Sequence, residues 1–178
     1  MKAVLSMGWP LILMRVGPAD VPHAPRVLPL LLLLNLGLSA VIQQFADSGL
    51  DRPVLTLSAI ALAAEALWVR VLLARRDAVN RWTQTFTALV LVDTFIAVMA
   101  APVSLLLMQG GDSLAPVIVL FQMLAAIWSL AVRGRIYGSA LEVSGARSIL
   151  LALAPLFLAM LLALPLLPEL VPATPAAG

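Results

Sequence analysis

Four polar side chains interrupt long apolar stretches of the sequence, each near the centre of its stretch. They are Asn35, Glu65, Asp93 and Gln122. Nine to twelve residues separate each from a basic residue near one end of its stretch. At about 1.5 Å of helical rise per residue, all four lie about 14–18 Å from that end. Helices would therefore hold four polar groups at nearly one depth, close to the middle of a bilayer.

Two kinds of chemistry fit such a layer. Asn and Gln side chains often join neighbouring helices by hydrogen bonds, and a carboxyl group in lipid can stay protonated and donate one too. Alternatively, Glu65 and Asp93 relay protons, bind a cation or line a polar cavity, because ionisable residues inside membranes often serve function. Spacing gives depth but not helical phase, so whether the four groups meet stays open. We expect the structural role.

Other catalytic chemistry lacks its parts in this sequence. There is no cysteine and one histidine, which excludes thiolate sites and leaves histidine-based metal sites or triads incomplete. No GxSxG, HExxH, phosphate-loop or GxGD pattern occurs. The net charge of +2 comes without alternating basic and aromatic residues, so a nucleic-acid partner is not expected. We therefore expect a protein that is not an enzyme and holds neither cofactor nor metal.

The elements that must position the polar layer are membrane helices. Of the 178 residues, 62% are hydrophobic and 11% charged, with a mean hydropathy of +1.06. A soluble domain carries about 25% charged residues, so this chain is predicted to lie in lipid. Five nearly uncharged runs are each long enough to cross a bilayer, which predicts an all-α bundle of five transmembrane helices. The predicted spans are 27–46, 53–74, 82–108, 114–136 and 146–167.

The regions outside this 27–167 domain are short. Residues 1–26 are predicted to form a cytoplasmic or interfacial arm, in which 3–14 make a short helix with Trp9 among the lipid headgroups. Residues 168–178 are rich in Pro and Ala and form an extended tail. Within the spans, Pro102 and Pro155 should kink their helices, and neighbouring helices should bind the carbonyls that these prolines leave free.

The basic residues predict the orientation. Ten of the eleven Lys and Arg residues lie in the arm or in the regions around the connections that follow the second and fourth spans, and only Arg52 lies on the other side. The positive-inside rule then places the N-terminus in the cytoplasm and the C-terminus outside. Some of these residues are also candidate contacts for anionic lipids, although topology alone would explain them. They are Arg75, Arg76, Arg81, Arg133 and Arg135.

Three segments resemble a group of small bacterial multispanning membrane proteins of unknown function, described as Yip-like. They are residues 19–25 (ADVPHAP), residues 81–88 (RWTQTFTA), and the pair WSLAV at 128–132 and ALEV at 140–143. Five spans with a cytoplasmic N-terminus are similar to the Yip pattern. The resemblance implies a membrane protein of trafficking, scaffolding or assembly, without catalytic residues.

The sequence thus favours a non-catalytic integral protein of the bacterial inner membrane. It would act as a scaffold, an assembly factor or an accessory subunit of a membrane complex. Its connections are too short to hold a soluble binding module, so its partners would be the lipid bilayer and other membrane subunits. The alternative is a small transporter, or an ion- or proton-conducting subunit that uses the midplane layer.

Overall fold

The computed structural model describes residues 2–45, 52–109 and 115–166, and all of its regular structure in these ranges is helical. Two short helices lie in the arm and five long helices follow. They are α1 (Lys2–Leu5), α2 (Gly8–Ile12), α3 (Leu28–Phe45), α4 (Arg52–Ala74), α5 (Trp82–Gln109), α6 (Ala115–Leu141) and α7 (Ala146–Leu166). Two 3₁₀ turns, Pro18–Asp20 and Val79–Arg81, precede α3 and α5.

Four of the described segments are long and apolar enough to cross a membrane. They are Leu55–Ala74, Val79–Val103, Val119–Leu141 and Ala146–Pro165, which coincide with the second to fifth predicted spans. In the position of the first predicted span, α3 contributes a shorter apolar segment, Leu28–Val41. The connection between the first and second predicted spans, the connection between the third and fourth, and the tail 168–178 fall largely or wholly outside the described residues.

Helix α5 is the centre of the bundle. It packs against α3, α4 and α6, while α7 packs against both α4 and α6. Eight consecutive residues of α5, from Thr85 to Val92, are buried. A helix that is apolar on every side can lie in lipid or among other helices, and α5 lies among other helices.

The arm packs along α5 as two short helices rather than as one helix over 3–14. The Gln84 side chain donates a hydrogen bond to the Val21 carbonyl (3.0 Å) near the start of α5. At the other end of the arm, Gly8 lies so close to Phe95 that a Cβ at this position would overlap the ring. Gln84 and Phe95 are about 16 Å apart along the helix axis, so the arm runs alongside the apolar segment instead of lying flat at its end.

Burial within the arm follows from this path. Val4, Leu11 and Ile12 are buried and belong to the same core as the centre of α5. Trp9 is exposed, on the outer side of the arm. The glycine at position 8 is what permits the approach, because any larger residue would push the arm off Phe95.

Helix α7 continues through Pro155, and α4 binds the carbonyl that this proline leaves free. A proline at 155 cannot donate to the carbonyl of Leu151, four residues earlier. The indole N–H of Trp68 donates to that carbonyl instead (3.0 Å). The expectation that a neighbouring helix binds such a carbonyl is therefore confirmed at Pro155, and the bond helps to fix α7 on α4.

A double-mutant cycle tests this pairing. Trp68→Phe removes the N–H donor and should lower the free energy of unfolding by about 1 kcal/mol. Pro155→Ala restores a backbone N–H that can bind the Leu151 carbonyl, so Trp68→Phe should cost less in that background. Denaturant titration in detergent micelles measures both. Equal costs of Trp68→Phe in the two backgrounds would contradict the pairing.

Candidate functional site

Three helices bring ionisable side chains together inside the bundle. Glu65 lies on α4, Asp93 on α5 and Arg133 on α6. The guanidinium of Arg133 holds Asp93 with two parallel bonds, Nε to Oδ1 (3.2 Å) and Nη2 to Oδ2 (2.5 Å). Its remaining nitrogen, Nη1, donates to Oε1 of Glu65 (2.5 Å). We call these three residues the charge cluster.

The charge cluster is shielded from the surroundings. The side chain of Glu65 is 3% exposed, that of Arg133 17% and that of Asp93 20%. The hydroxyl of Tyr137, one helical turn beyond Arg133, lies 3.5 Å from the same Glu65 oxygen. In such surroundings charges attract strongly but lose their hydration, so removing one partner of a pair costs far more than the pair contributes.

The charge cluster is unequal in formal charge. Two carboxylates face one guanidinium, which leaves one negative charge in excess when all three groups are ionised. Arginine suits this position because its planar guanidinium offers several donors in fixed directions and can serve two carboxylates at once. The cluster therefore ties α4, α5 and α6 to a common register.

Asn35 joins this region from α3. Its amide donates to the hydroxyl of Thr94 (3.1 Å), which in turn donates to the Val90 carbonyl (2.7 Å). A cavity of about 180 Å³ lies between Asn35 and the charge cluster. Its lining includes the side chains of Asn35, Ser39, Ser58, Glu65, Asp93, Arg133 and Pro155. A cavity of this size and polarity can hold several water molecules or one small polar ligand.

Three of the four residues of the predicted layer thus line one cavity, and the fourth does not. Gln122 is exposed on the outer surface of α6. Arg133, eleven residues later, faces the two carboxylates from α6 in its place. The spacing of residues along the sequence gave the position of Gln122 along α6. It could not indicate that the side chain is exposed at this part of the helix.

Arg133 was predicted as a lipid contact at the membrane surface, and the structure places it inside the protein instead. The apolar segment of α6 runs to Leu141, eight residues beyond Arg133, so this arginine belongs to the span. The apolar residues that follow Arg133 are the sequence signal that could have shown that this arginine lies within the span. The other arginines of the predicted lipid-contact set, Arg75, Arg76, Arg81 and Arg135, are exposed. Arg81 also lies 3.8 Å from Glu142 across two exposed side chains.

The excess carboxylate yields a stability prediction. Glu65→Gln or Asp93→Asn alone leaves Arg133 paired with one carboxylate, so each change should cost no more than about 1 kcal/mol. The double variant leaves a buried guanidinium facing two amides and should cost about 3–5 kcal/mol, more than the two single costs together. The measurement is the free energy of unfolding in detergent.

Arg135→Gln is the matched control for this experiment. Arg135 lies on the same helix two residues beyond Arg133 but is exposed, so its loss should change stability by no more than about 0.5 kcal/mol. Small, additive effects of Glu65→Gln and Asp93→Asn would show that the charge cluster does not hold the bundle together.

Comparison with known proteins does not identify the chain. No protein-family model, curated protein or solved structure matches it. The resemblance to Yip-like proteins stays a prediction that rests on the segments at 19–25, 81–88 and 128–143. The functional interpretation therefore rests on the geometry of the helices and of the charge cluster.

Proposed function

We propose that this protein is a non-catalytic integral membrane subunit that associates with another membrane protein through α6. In this proposal the chain crosses the bacterial inner membrane five times, with the N-terminus in the cytoplasm and the C-terminus outside. With Arg133 left out, since it lies inside the bundle, nine basic residues lie toward the side of the arm and only Arg52 toward the other, which supports this orientation. Four helices among the described residues are apolar and long enough to cross a membrane, which supports an integral membrane protein.

The two halves of α6 differ in their surroundings. The second half is packed into the bundle, with Val132, Ile136, Tyr137 and Ala140 buried. The first half is largely bare, and its large exposed side chains include Val117, Val119, Leu120, Met123, Leu124, Ile127 and Trp128. At about 100° per residue, the exposed positions from 119 to 128 cover about two thirds of the helix circumference.

Gln122 is the observation that carries the proposal. It is exposed in the bare half of α6, in a segment apolar enough to lie in a membrane. Lipid chains offer no partner to a side-chain amide, so burying it against a polar group of another helix is favourable. Gln122 and Arg133 are eleven residues apart on α6, so their directions around the helix axis differ by only about 20°. Gln122 therefore lies on the same side of α6 as Arg133, which faces the other helices. A partner helix docked here would extend the bundle along the same face.

The charge cluster is compatible with this role. Its three side chains are engaged with one another, so its direct effect is to hold α4, α5 and α6 in a fixed arrangement. A rigid bundle presents the bare half of α6 in one orientation, which lowers the entropic cost of binding a partner.

Site-specific photo-crosslinking in the native membrane tests the proposal. A benzophenone side chain at Ala126, one turn from Gln122, should give a discrete protein adduct. At Leu161, exposed on α7, it should give only lipid adducts. Gln122→Leu should reduce the protein adduct about fivefold, the effect of one interhelical hydrogen bond, while Gln122→Asn keeps the amide and most of the adduct.

The adduct mass identifies the partner, since a second copy of this chain doubles the mass of 18.8 kDa. Lipid adducts alone at both positions, in membranes where the protein is folded, would contradict an intramembrane partner on α6.

A second candidate function is the conduction or transport of protons or small cations. The observation that favours it is the 180 Å³ cavity bordered by Glu65, Asp93 and Arg133, with one carboxylate in excess of the positive charge. Carboxylates beside a polar cavity within a membrane are the usual parts of a proton relay.

Flux measurements separate the two functions. Because we propose a non-catalytic subunit, proteoliposomes should pass protons no faster than protein-free vesicles at any pH, and Glu65→Gln should change nothing. Proton flux in the wild type that is lost in both Glu65→Gln and Asp93→Asn, with folding intact, would favour the second function. An amide cannot ionise, so these variants remove proton exchange while keeping the side-chain shape.

A further inference from the structure

A groove of about 620 Å³ lies between the arm and the α6–α7 connection, away from the charge cluster. Residues 14–17 of the arm form one side, residues 131–139 of α6 the second, and residues 143–145 with the start of α7 the third. The apolar segments of α6 and α7 end at Leu141 and begin at Ala146. The groove is therefore at the boundary between apolar and polar surface, where lipid headgroups lie.

Two arginines from separate segments line this groove. Arg15 comes from the arm and Arg135 from α6, and both are exposed. Within the described part of the chain, neither forms a salt bridge. The one acidic side chain in the lining is Asp20, whose Oδ2 accepts a hydrogen bond from the Gly17 amide (2.8 Å). The lining thus carries a formal charge of +1, with both positive groups unpaired.

Glycines shape the walls of the groove. A Cβ at Gly138 would lie 2.9 Å from the Val143 carbonyl, and one at Gly134 would lie 3.3 Å from Ile149. These two glycines, one turn apart, let the connection and α7 sit close to α6. The arm lies against the same part of α6 at Gly17, whose Cβ position is at an ordinary contact distance of 3.4 Å from the Ser139 hydroxyl. The connection and α7 are therefore held at close range against this side of α6, with the arm beside them.

A second surface groove shows why the unpaired charges matter. It measures about 330 Å³ and is lined by Arg76 and Arg81, but also by Asp77 and Glu142. Arg81 lies 3.8 Å from Glu142. The two positive and two negative charges of the second groove balance, so this groove attracts an anion less strongly than the first groove does.

We propose that the groove between Arg15 and Arg135 binds a phosphate-bearing anion at the membrane surface. Arginine guanidinium groups bind phosphate oxygens with paired, charge-assisted hydrogen bonds. The position at the end of two apolar helices matches the headgroup of an anionic phospholipid, whose acyl chains would extend along α6 and α7. The same chemistry would also hold free phosphate.

Native mass spectrometry of the full chain, released from micelles with phosphatidylglycerol or phosphatidylcholine, tests the site. The wild type should retain one phosphatidylglycerol. The double variant Arg15→Gln/Arg135→Gln should bind it with a Kd about tenfold to thirtyfold higher, the loss of two surface cations. Arg75→Gln removes an exposed arginine outside this groove and should leave the Kd unchanged.

Further variants keep the test decisive if the double variant folds poorly. Arg15→Lys/Arg135→Lys keeps both charges and should retain most of the binding. Asp20→Asn removes the only negative charge of the lining, keeps an acceptor for the Gly17 amide, and should lower the Kd. Retention of phosphatidylglycerol that ignores the arginines and Asp20 would overturn the proposal.

A separate experiment distinguishes a lipid headgroup from free phosphate as the source of the bound anion. Protein in micelles is heated with inorganic phosphate or with chloride at the same ionic strength. Arginine-dependent stabilisation by inorganic phosphate would support a phosphate site filled from solution, and its absence beside lipid retention would support the headgroup. Failure of both probes would overturn the site. None of these outcomes depends on a protein partner at α6.

Discussion

The contact between Arg133 and the two carboxylates is the constraint on which the rest of the bundle depends. A guanidinium inside an apolar bundle is tolerable only if its charge is compensated and its nitrogens have acceptors. Here each of the three nitrogens donates one bond, two of them to Asp93 and one to Glu65. Apolar side chains slide past one another at little cost, and lipid gives helices no hydrophobic reason to associate. Three fixed hydrogen bonds do select one register of α4, α5 and α6. The buried hydroxyl of Tyr137 and the Asn35–Thr94 bond lie around this point, so α3 is fixed to the same region.

Around that point, packing follows from small residues and from backbone groups that need partners. The arm reaches the middle of α5 because position 8 is glycine and the Phe95 ring fills the space of its missing side chain. Helix α7 is positioned from α4 by an indole that binds the carbonyl freed by Pro155. In each case a local irregularity of the chain becomes a specific contact between helices. This specificity complements the charge cluster, since apolar contacts alone would allow many arrangements.

The sequence indicated the helices well and the site partly, for physical reasons. Apolar runs that are nearly free of charges and long enough to cross a bilayer indicated the positions of α4 to α7. The spacing of Asn35, Glu65 and Asp93 along these runs indicated a common level, and the three residues line one cavity. Arg133 was missed because an arginine near the end of a span usually marks the membrane surface. Its pairing depends on which carboxylates the other helices place opposite, and spacing along one helix carries no such information. The path of the arm was hidden for the same reason, since Gly8 meets its partner 87 positions later.

The bundle is unevenly packed along its length, and this unevenness separates its structural half from its exposed half. Toward the end rich in arginine, the arm, the start of α5 and the second half of α6 enclose one another, and this is where most buried residues lie. Toward the other end, most of the described residues in the first half of α6 are exposed, and Gln122 is exposed among apolar side chains. The charge cluster and the close contacts at glycines fix the helices at the arginine-rich end. This end therefore forms a rigid base, and the bare first half of α6 projects from it. Because the charge cluster lies between the two, any movement of α6 that followed binding at its bare half would have to stretch or exchange the bonds of Arg133. The same three bonds that set the register of the bundle would therefore also oppose a change in its shape.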